Sequence, residues 1–180
     1  IVDDTAPEFV SVPSDYTADC TAEIINEEAV ASDNCGDVTI EVFDSETPGS
    51  CSGQYTITRT FVATDDCLNS SIAIQTITVV DTRAPVFTDI PVDYTAECSD
   101  DLSSQGASAT DGCGEVDIQV IDQVIPGSCS GEYTISRVFI ATDDCGNSAI
   151  ATQVITVVDT IAPELTIPDD YIAECSDELT

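Results

Sequence analysis

Apolar and polar residues alternate along this chain in short runs, and turn signals separate one run from the next. Tyr55-Thr56-Ile57-Thr58-Arg59-Thr60-Phe61 alternates with period two, and Val38-Thr39-Ile40-Glu41-Val42-Phe43 does so in part. That period sends successive side chains to opposite faces of a strand. Residues 71–80 are rich in β-branched side chains, which suit a pleated, half-buried surface. Between the runs lie Asn34-Cys35-Gly36, Pro48-Gly49 and Asp65-Asp66-Cys67-Leu68-Asn69, all turn formers. No long segment carries helical spacing, although residues 22–31 have room for a short turn. The pattern predicts strands over 9–19, 28–32, 38–44, 55–64 and 71–80. The fold class expected is all-β, a sandwich of immunoglobulin-like type.

The same pattern then repeats. The step from Pro7 to Pro85 equals the step from Pro85 to Pro163, and Cys20, Cys35, Cys51 and Cys67 return at that same step as Cys98, Cys113, Cys129 and Cys145. Cys175 opens a third set one residue early. The expected organisation is a repeat over 1–80, a second over 81–158, and the opening part of a third over 159–180. The connection Val79-Val80-Asp81-Thr82-Arg83-Ala84-Pro85 has no glycine and no spacer. A short, β-branched, proline-bearing link predicts a semi-rigid rod of domains set end to end.

Cysteine content adds the compartment. The chain has no histidine and its cysteines form no C-x-x-C pair, so zinc is a poor reading and disulfides a better one. Disulfides imply an extracellular or cell-surface location, and a unit this small gains much from such staples. In an up-and-down strand order, Cys35 and Cys67 share the N-terminal pole of the first repeat, and Cys20 and Cys51 share the other pole. The expected pairs are therefore Cys20–Cys51 and Cys35–Cys67, with Cys98–Cys129 and Cys113–Cys145 in the second repeat and a partner for Cys175 beyond residue 180.

Charge removes several functions. Three basic residues against thirty-five acidic ones give a net charge of −32. That is the wrong sign for ordinary nucleic-acid binding or for docking on anionic lipid. No apolar run approaches the ~20 residues of a membrane-spanning helix.

The succession V-D-x-x-A-P, Y-T-A-E-C, D-x-C-G, Y-T-I-x-R-x-F-x-A-T-D-D-C-G-N and Q-x-I-T-V-V-D-T resembles the HYR (hyalin repeat) family in its cysteine-rich bacterial form. The resemblance covers essentially the whole chain, and the A-T-D-D-C-G-N turn is its most specific part. It implies an immunoglobulin-like fold, tandem arrays in very large surface proteins of Bacteroidota, and adhesion or surface architecture. Leu68 departs from the pattern where the second repeat has Gly146, which puts the conformation of that turn in question.

Four sets of residues are candidates for chemistry. Asp3, Asp4, Asp33, Asp65, Asp66 and Asn69 gather at one pole of the first repeat in the predicted topology, with Asn34 beside them. Asp81, Asp111, Asp143, Asp144 and Asn147 follow in the second. Such oxygen donors suit calcium, and the D-x-x-A-P linker is similar to the calcium-binding junctions of cadherins. Asp and Asn are also ordinary turn formers, and both readings stand at this point. Arg59 and Arg137 occupy one repeat position; they fit structural arginines pairing with a carboxylate or capping loop carbonyls better than a ligand anchor. Thr5 and Thr160 fall in D-T-apolar triplets similar to a Bacteroidota O-glycosylation motif, and Asn69-Ser70-Ser71 fits the N-linked sequon by chance, since Asn147-Ser148-Ala149 does not.

Catalysis is not expected. The commonest general base is missing, and cysteines held in disulfides are not nucleophiles. The sequence therefore points to a structural spacer, stalk or extracellular filament of an adhesin-type protein, its junctions stiffened by calcium. The alternative is a module that binds glycans or proteins directly. Expected partners are neighbouring repeats of the same long chain, other surface proteins or glycans, and further copies in a fibre.

Overall fold

The computed structural model describes residues 2–103 and 105–167. Each repeat supplies six strands and, among the described residues, no helix. In the first they are β1 (Glu8–Ser11), β2 (Tyr16–Asp19), β3 (Val30–Ser32), β4 (Val38–Pro48), β5 (Tyr55–Asp65) and β6 (Ser70–Val80). The second repeats them as β7 (Val86–Asp89), β8 (Tyr94–Glu97), β9 (Ser108–Thr110), β10 (Val116–Pro126), β11 (Tyr133–Asp143) and β12 (Ser148–Val158). A four-stranded sheet, β2-β6-β5-β4, accompanies a two-stranded one, β1-β3, and the second repeat has the same arrangement. The all-β sandwich expected from the alternation is present.

The alternation also gives the register. Odd-numbered residues of β5 face inward, so Phe61 and Ala63 are fully buried, and Ile77 and Val79 of β6 join them. Val62 and Thr60 point the other way and stay half-buried. In the second repeat Phe139, Ala141, Ile155 and Val157 take the same places. Each core is small, and β4 is covered only in part. Val42, on its inner face, and Phe43, on its outer face, are 52% and 55% exposed.

The expected first strand, 9–19, is two strands in different sheets. β1 pairs antiparallel with β3, whereas β2 runs parallel to β6. Pro13 lies between them and has no N–H to donate, so a continuous ladder through it is broken. Two polar side chains hold the crossing segment. Gln75, 1% exposed, donates from Nε2 to the Ser14 carbonyl at 2.8 Å, and the Thr76 amide donates to Asp15 Oδ1 at 2.7 Å. Gln153 and Asp93 do the same at Val92 and Val154. The expected strand 28–32 shortens to β3, and the strand over 38–44 extends to Pro48.

Candidate functional site at the junction between repeats

The pole of the first repeat that carries Cys20 and Cys51 meets the pole of the second that carries Cys113 and Cys145. The Cys20 amide extends the β2–β6 pairing by donating to the Val80 carbonyl at 3.0 Å, which fixes Cys20 at the end of β2. Cys51 sits in a turn closed by Gly49 N to Gln54 O and Gln54 N to Cys51 O. On the facing pole, Asp111 Oδ1 accepts from the Cys113 amide at 2.8 Å, an Asx-type turn that aims the thiol outward. Cys145 lies in the β11–β12 turn, which Asp143 organises by accepting from the Asn147 amide and side chain.

These four cysteines are bonded across the boundary. Cys20 bonds to Cys113 with Cα atoms 5.9 Å apart, and Cys51 to Cys145 with Cα atoms 5.2 Å apart. The expected pairs Cys20–Cys51 and Cys113–Cys145 are thereby corrected. The grouping by pole holds, because the bonded cysteines of each repeat do share a pole, but each faces the next repeat and not its neighbour. Cys35–Cys67 and Cys98–Cys129 are corrected too: all four are exposed free thiols in the structure. Cys175 lies outside the described residues.

Close approach of the two poles depends on residues without bulk. A Cβ on Gly53 would stand 2.8 Å from Asp81 Cβ and 2.9 Å from Cys113 Cβ, and one on Gly112 would stand 2.8 Å from Thr21 Cγ2. Gly114 is crowded by Ser52 and Asp144 in the same way. Ser52 donates from its amide to Asp144 Oδ2 at 3.2 Å and from its hydroxyl to the same oxygen. These bonds, the hydroxyl's first, hold the Asp144 carboxyl below its ordinary range. Arg83 reaches back to Asp19 at 3.3 Å, an exposed pair worth little by itself. Asp144, a calcium candidate in the sequence, is thus engaged as a cross-repeat acceptor.

The remaining acids divide. At the far pole of the first repeat, Asp3, Asp33 and Asp65 bring carboxylate oxygens within 4.8 Å of one another. Burial pushes the Asp65 carboxyl up, and hydrogen bonds from Asn69 and from the Cys67 and Leu68 amides more than offset it, leaving it below the usual range. Asn69 also donates to the Asp3 carbonyl, so its side-chain amide is engaged on both sides. Asp4 and Asp66 are exposed and outside that cluster. At the junction, Asp81 and Asp111 converge beside the Cys113 sulfur. Asp81 is 4% exposed, and its Oδ2 is buried with no hydrogen-bond partner. A buried carboxylate oxygen left unpaired is costly. Asp81 and Asp111 are oxygen donors of the kind calcium takes, while the third member of the group, the Cys113 sulfur, is held in a disulfide.

Arg59 and Arg137 lie away from the junction. Arg59 is buried and forks onto Asp44 with two bonds of 2.8 Å from Nε and Nη2; Nη2 also donates to Asn26 Oδ1, and Nη1 donates to the Ile25 carbonyl. Arg137 makes the same fork to Asp122. Both pin the segment before β3 or β9 to the main sheet. Thr5 and Thr160 are both exposed, and the Thr160 hydroxyl is bonded to the Glu97 carboxylate.

Sequence reasoning missed Ser52, Gly53, Thr21, Gly112 and Gln75. One signal was available for three of them: Ser52, Gly53 and Gln75 recur as Ser130, Gly131 and Gln153 at the repeat period.

No known family profile matches the chain, and no curated protein does. Solved structures with a similar arrangement include Drosophila N-cadherin EC1-4, with TM-score 0.41 and 13% identity over 86% of this chain and 50% of that one. Human protocadherin-24 EC1-2 overlays with TM-score 0.38 and 16% identity over 88% of this chain and 100% of that one. The chain spans half the length of the first of these. At such identity and overlap no family is assigned, and the functional reading rests on the junction itself.

Proposed function

We propose that the chain is part of a covalently jointed spacer: immunoglobulin-like repeats of an extracellular, adhesin-type protein, set end to end as a rod. The observation that carries this is the pair of disulfides spanning one repeat boundary. A single bond beside the peptide link would leave an axis of rotation. Two bonds from separate loops, together with the chain through Asp81, make three connections and remove it. Disulfides belong to oxidising compartments, the acidic surface keeps such a rod soluble, and the HYR-like motifs agree with both.

Calcium fits the same joint. Asp81 and Asp111 would hold it, and the ion would neutralise the buried Asp81 oxygen that nothing else in the joint reaches. In this reading the repeat has no catalytic task.

Small-angle scattering on the oxidised and reduced chain tests the rod. The oxidised chain should give one fixed maximum dimension, and reduction should broaden the distance distribution. An oxidised chain as flexible as the reduced one would refute the reading.

A direct adhesion module is the second reading, and one observation favours it. Phe43, Ile72 and Ile74 lie on the outer face of the main sheet and are all more than half exposed. Exposed apolar clusters of that kind mark contact surfaces. Loss of cell or glycan binding on replacing the three by threonine, with melting unchanged, would favour this second reading.

A further inference from the structure

Among the described residues, the four free thiols have an arrangement that the bonded ones explain. Cys98 and Cys129 are the second-repeat counterparts of Cys20 and Cys51, and Cys35 and Cys67 are the first-repeat counterparts of Cys113 and Cys145. All four are exposed. Their backbones are held as in the formed joint. Cys98 donates to the Val158 carbonyl at 2.9 Å as Cys20 does to Val80, and Glu132 donates to the Cys129 carbonyl as Gln54 does to Cys51. At the opposite pole Cys35 donates to Asp33 Oδ1 at 2.8 Å as Cys113 does to Asp111. Gly131 and Gly36 provide the same lack of bulk as Gly53 and Gly114.

We infer that these poles are the two mating halves of a further joint: the Cys98/Cys129 pole accepts the Cys35/Cys67 pole of another repeat of this kind. The bonds formed are Cys98 to Cys35 and Cys129 to Cys67 of the incoming repeat. This rests on the spacer reading and adds its mode of growth, a head-to-tail series with two disulfides at every joint. Each bond joins two thiols. Their two protons and two electrons pass to a small-molecule disulfide such as oxidised glutathione, which leaves as two thiols. The geometry is heterologous, so it propagates and does not close on a pair.

A second copy of the chain serves as the incoming repeat in the test. One variant carries Cys35→Ser, Cys67→Ser and Cys175→Ser, and keeps only the Cys98/Cys129 pole. The other carries Cys98→Ser, Cys129→Ser and Cys175→Ser, and keeps only the Cys35/Cys67 pole. They are mixed in a glutathione redox buffer at high salt, which screens the repulsion between two acidic bodies. The expected product is a covalent dimer of twice the 18.9 kDa chain mass, seen in the mixture and with neither variant alone. Peptide mapping should recover Cys98–Cys35 and Cys129–Cys67. A mixture that stays monomeric, equal dimer from one variant alone, or a Cys98–Cys129 link would overturn the proposal. Scattering on a chain with Cys35, Cys67, Cys98, Cys129 and Cys175 all replaced by serine reads only the internal joint, so the spacer reading survives or fails separately.

Discussion

At the residue scale, the β5–β6 turn shows what one side chain costs. Leu68 and Gly146 occupy the same turn position, with φ of 71° and 89°. The substitution noted in the sequence therefore leaves the conformation unchanged and places a leucine in the left-handed region, where its Cβ crowds the following carbonyl. Leu68 is 83% exposed and gains no packing in return. Leu68→Gly should raise stability by about 1 kcal/mol and Gly146→Leu should lower it by a similar amount, read from thermal melts. The arginines make a second residue-scale argument. Hydrogen bonds from Arg59 to Asp44 and from Arg137 to Asp122 hold both carboxyls below their ordinary value of 3.8. A depressed folded value means the stabilisation is complete above 3.8 and is lost as pH falls through the lower folded values. Arg59→Met should destabilise by about 2 kcal/mol at neutral pH, the worth of charged hydrogen bonds lost. The gap to the wild type should narrow in acid; a gap constant down to the acid transition would exclude this pairing as its cause.

At the element scale, the strands that alternate strictly were legible and the one that changes sheets was not. Tyr55–Asp65 and Ser70–Val80 follow period two because one face of each packs on the core. Residues 9–19 look like one run in the sequence because apolar residues continue through it on both sides of Pro13. What separates β1 from β2 is a set of long-range bonds, Gln75 to Ser14 and Thr76 to Asp15, whose partners lie 61 residues away. Local pattern carries no trace of such a partner, apart from a glutamine at an inward position of β6. Asp15→Ala should cost about 1 kcal/mol, the usual worth of one hydrogen bond. Hydrogen exchange should accelerate in β2 and leave the β4–β5 ladder protected, since β2 is held by β6 on one side only. Uniform acceleration across the sheet would show that Asp15 acts on the whole repeat and not on the crossing.

At the scale of the whole molecule, a strict repeat conceals which copies are bonded. Four cysteines in each repeat satisfy pairing within a repeat and pairing between repeats equally well, so period and count could not choose between them. The poles were legible because they follow from strand direction. The partner was not, because it depends on how Gly53, Gly112 and Gly114 let two poles approach. That approach also buries Asp81, and its consequence is measurable. Without a cation, the Oδ2 of Asp81 is a buried polar oxygen left without a partner. Asp81→Asn exchanges the carboxyl for an amide at nearly constant shape, so in chelator it should be neutral or stabilising. With calcium the order should reverse. An ion bound only to the folded joint contributes about 2.7 kcal/mol at a hundredfold excess over its Kd, and the asparagine variant forfeits most of that. Melting of both proteins, in chelator and in calcium, gives four values whose crossing is the signature. Parallel shifts would assign calcium to the general acidic surface, and no shift in either protein would remove it from the joint.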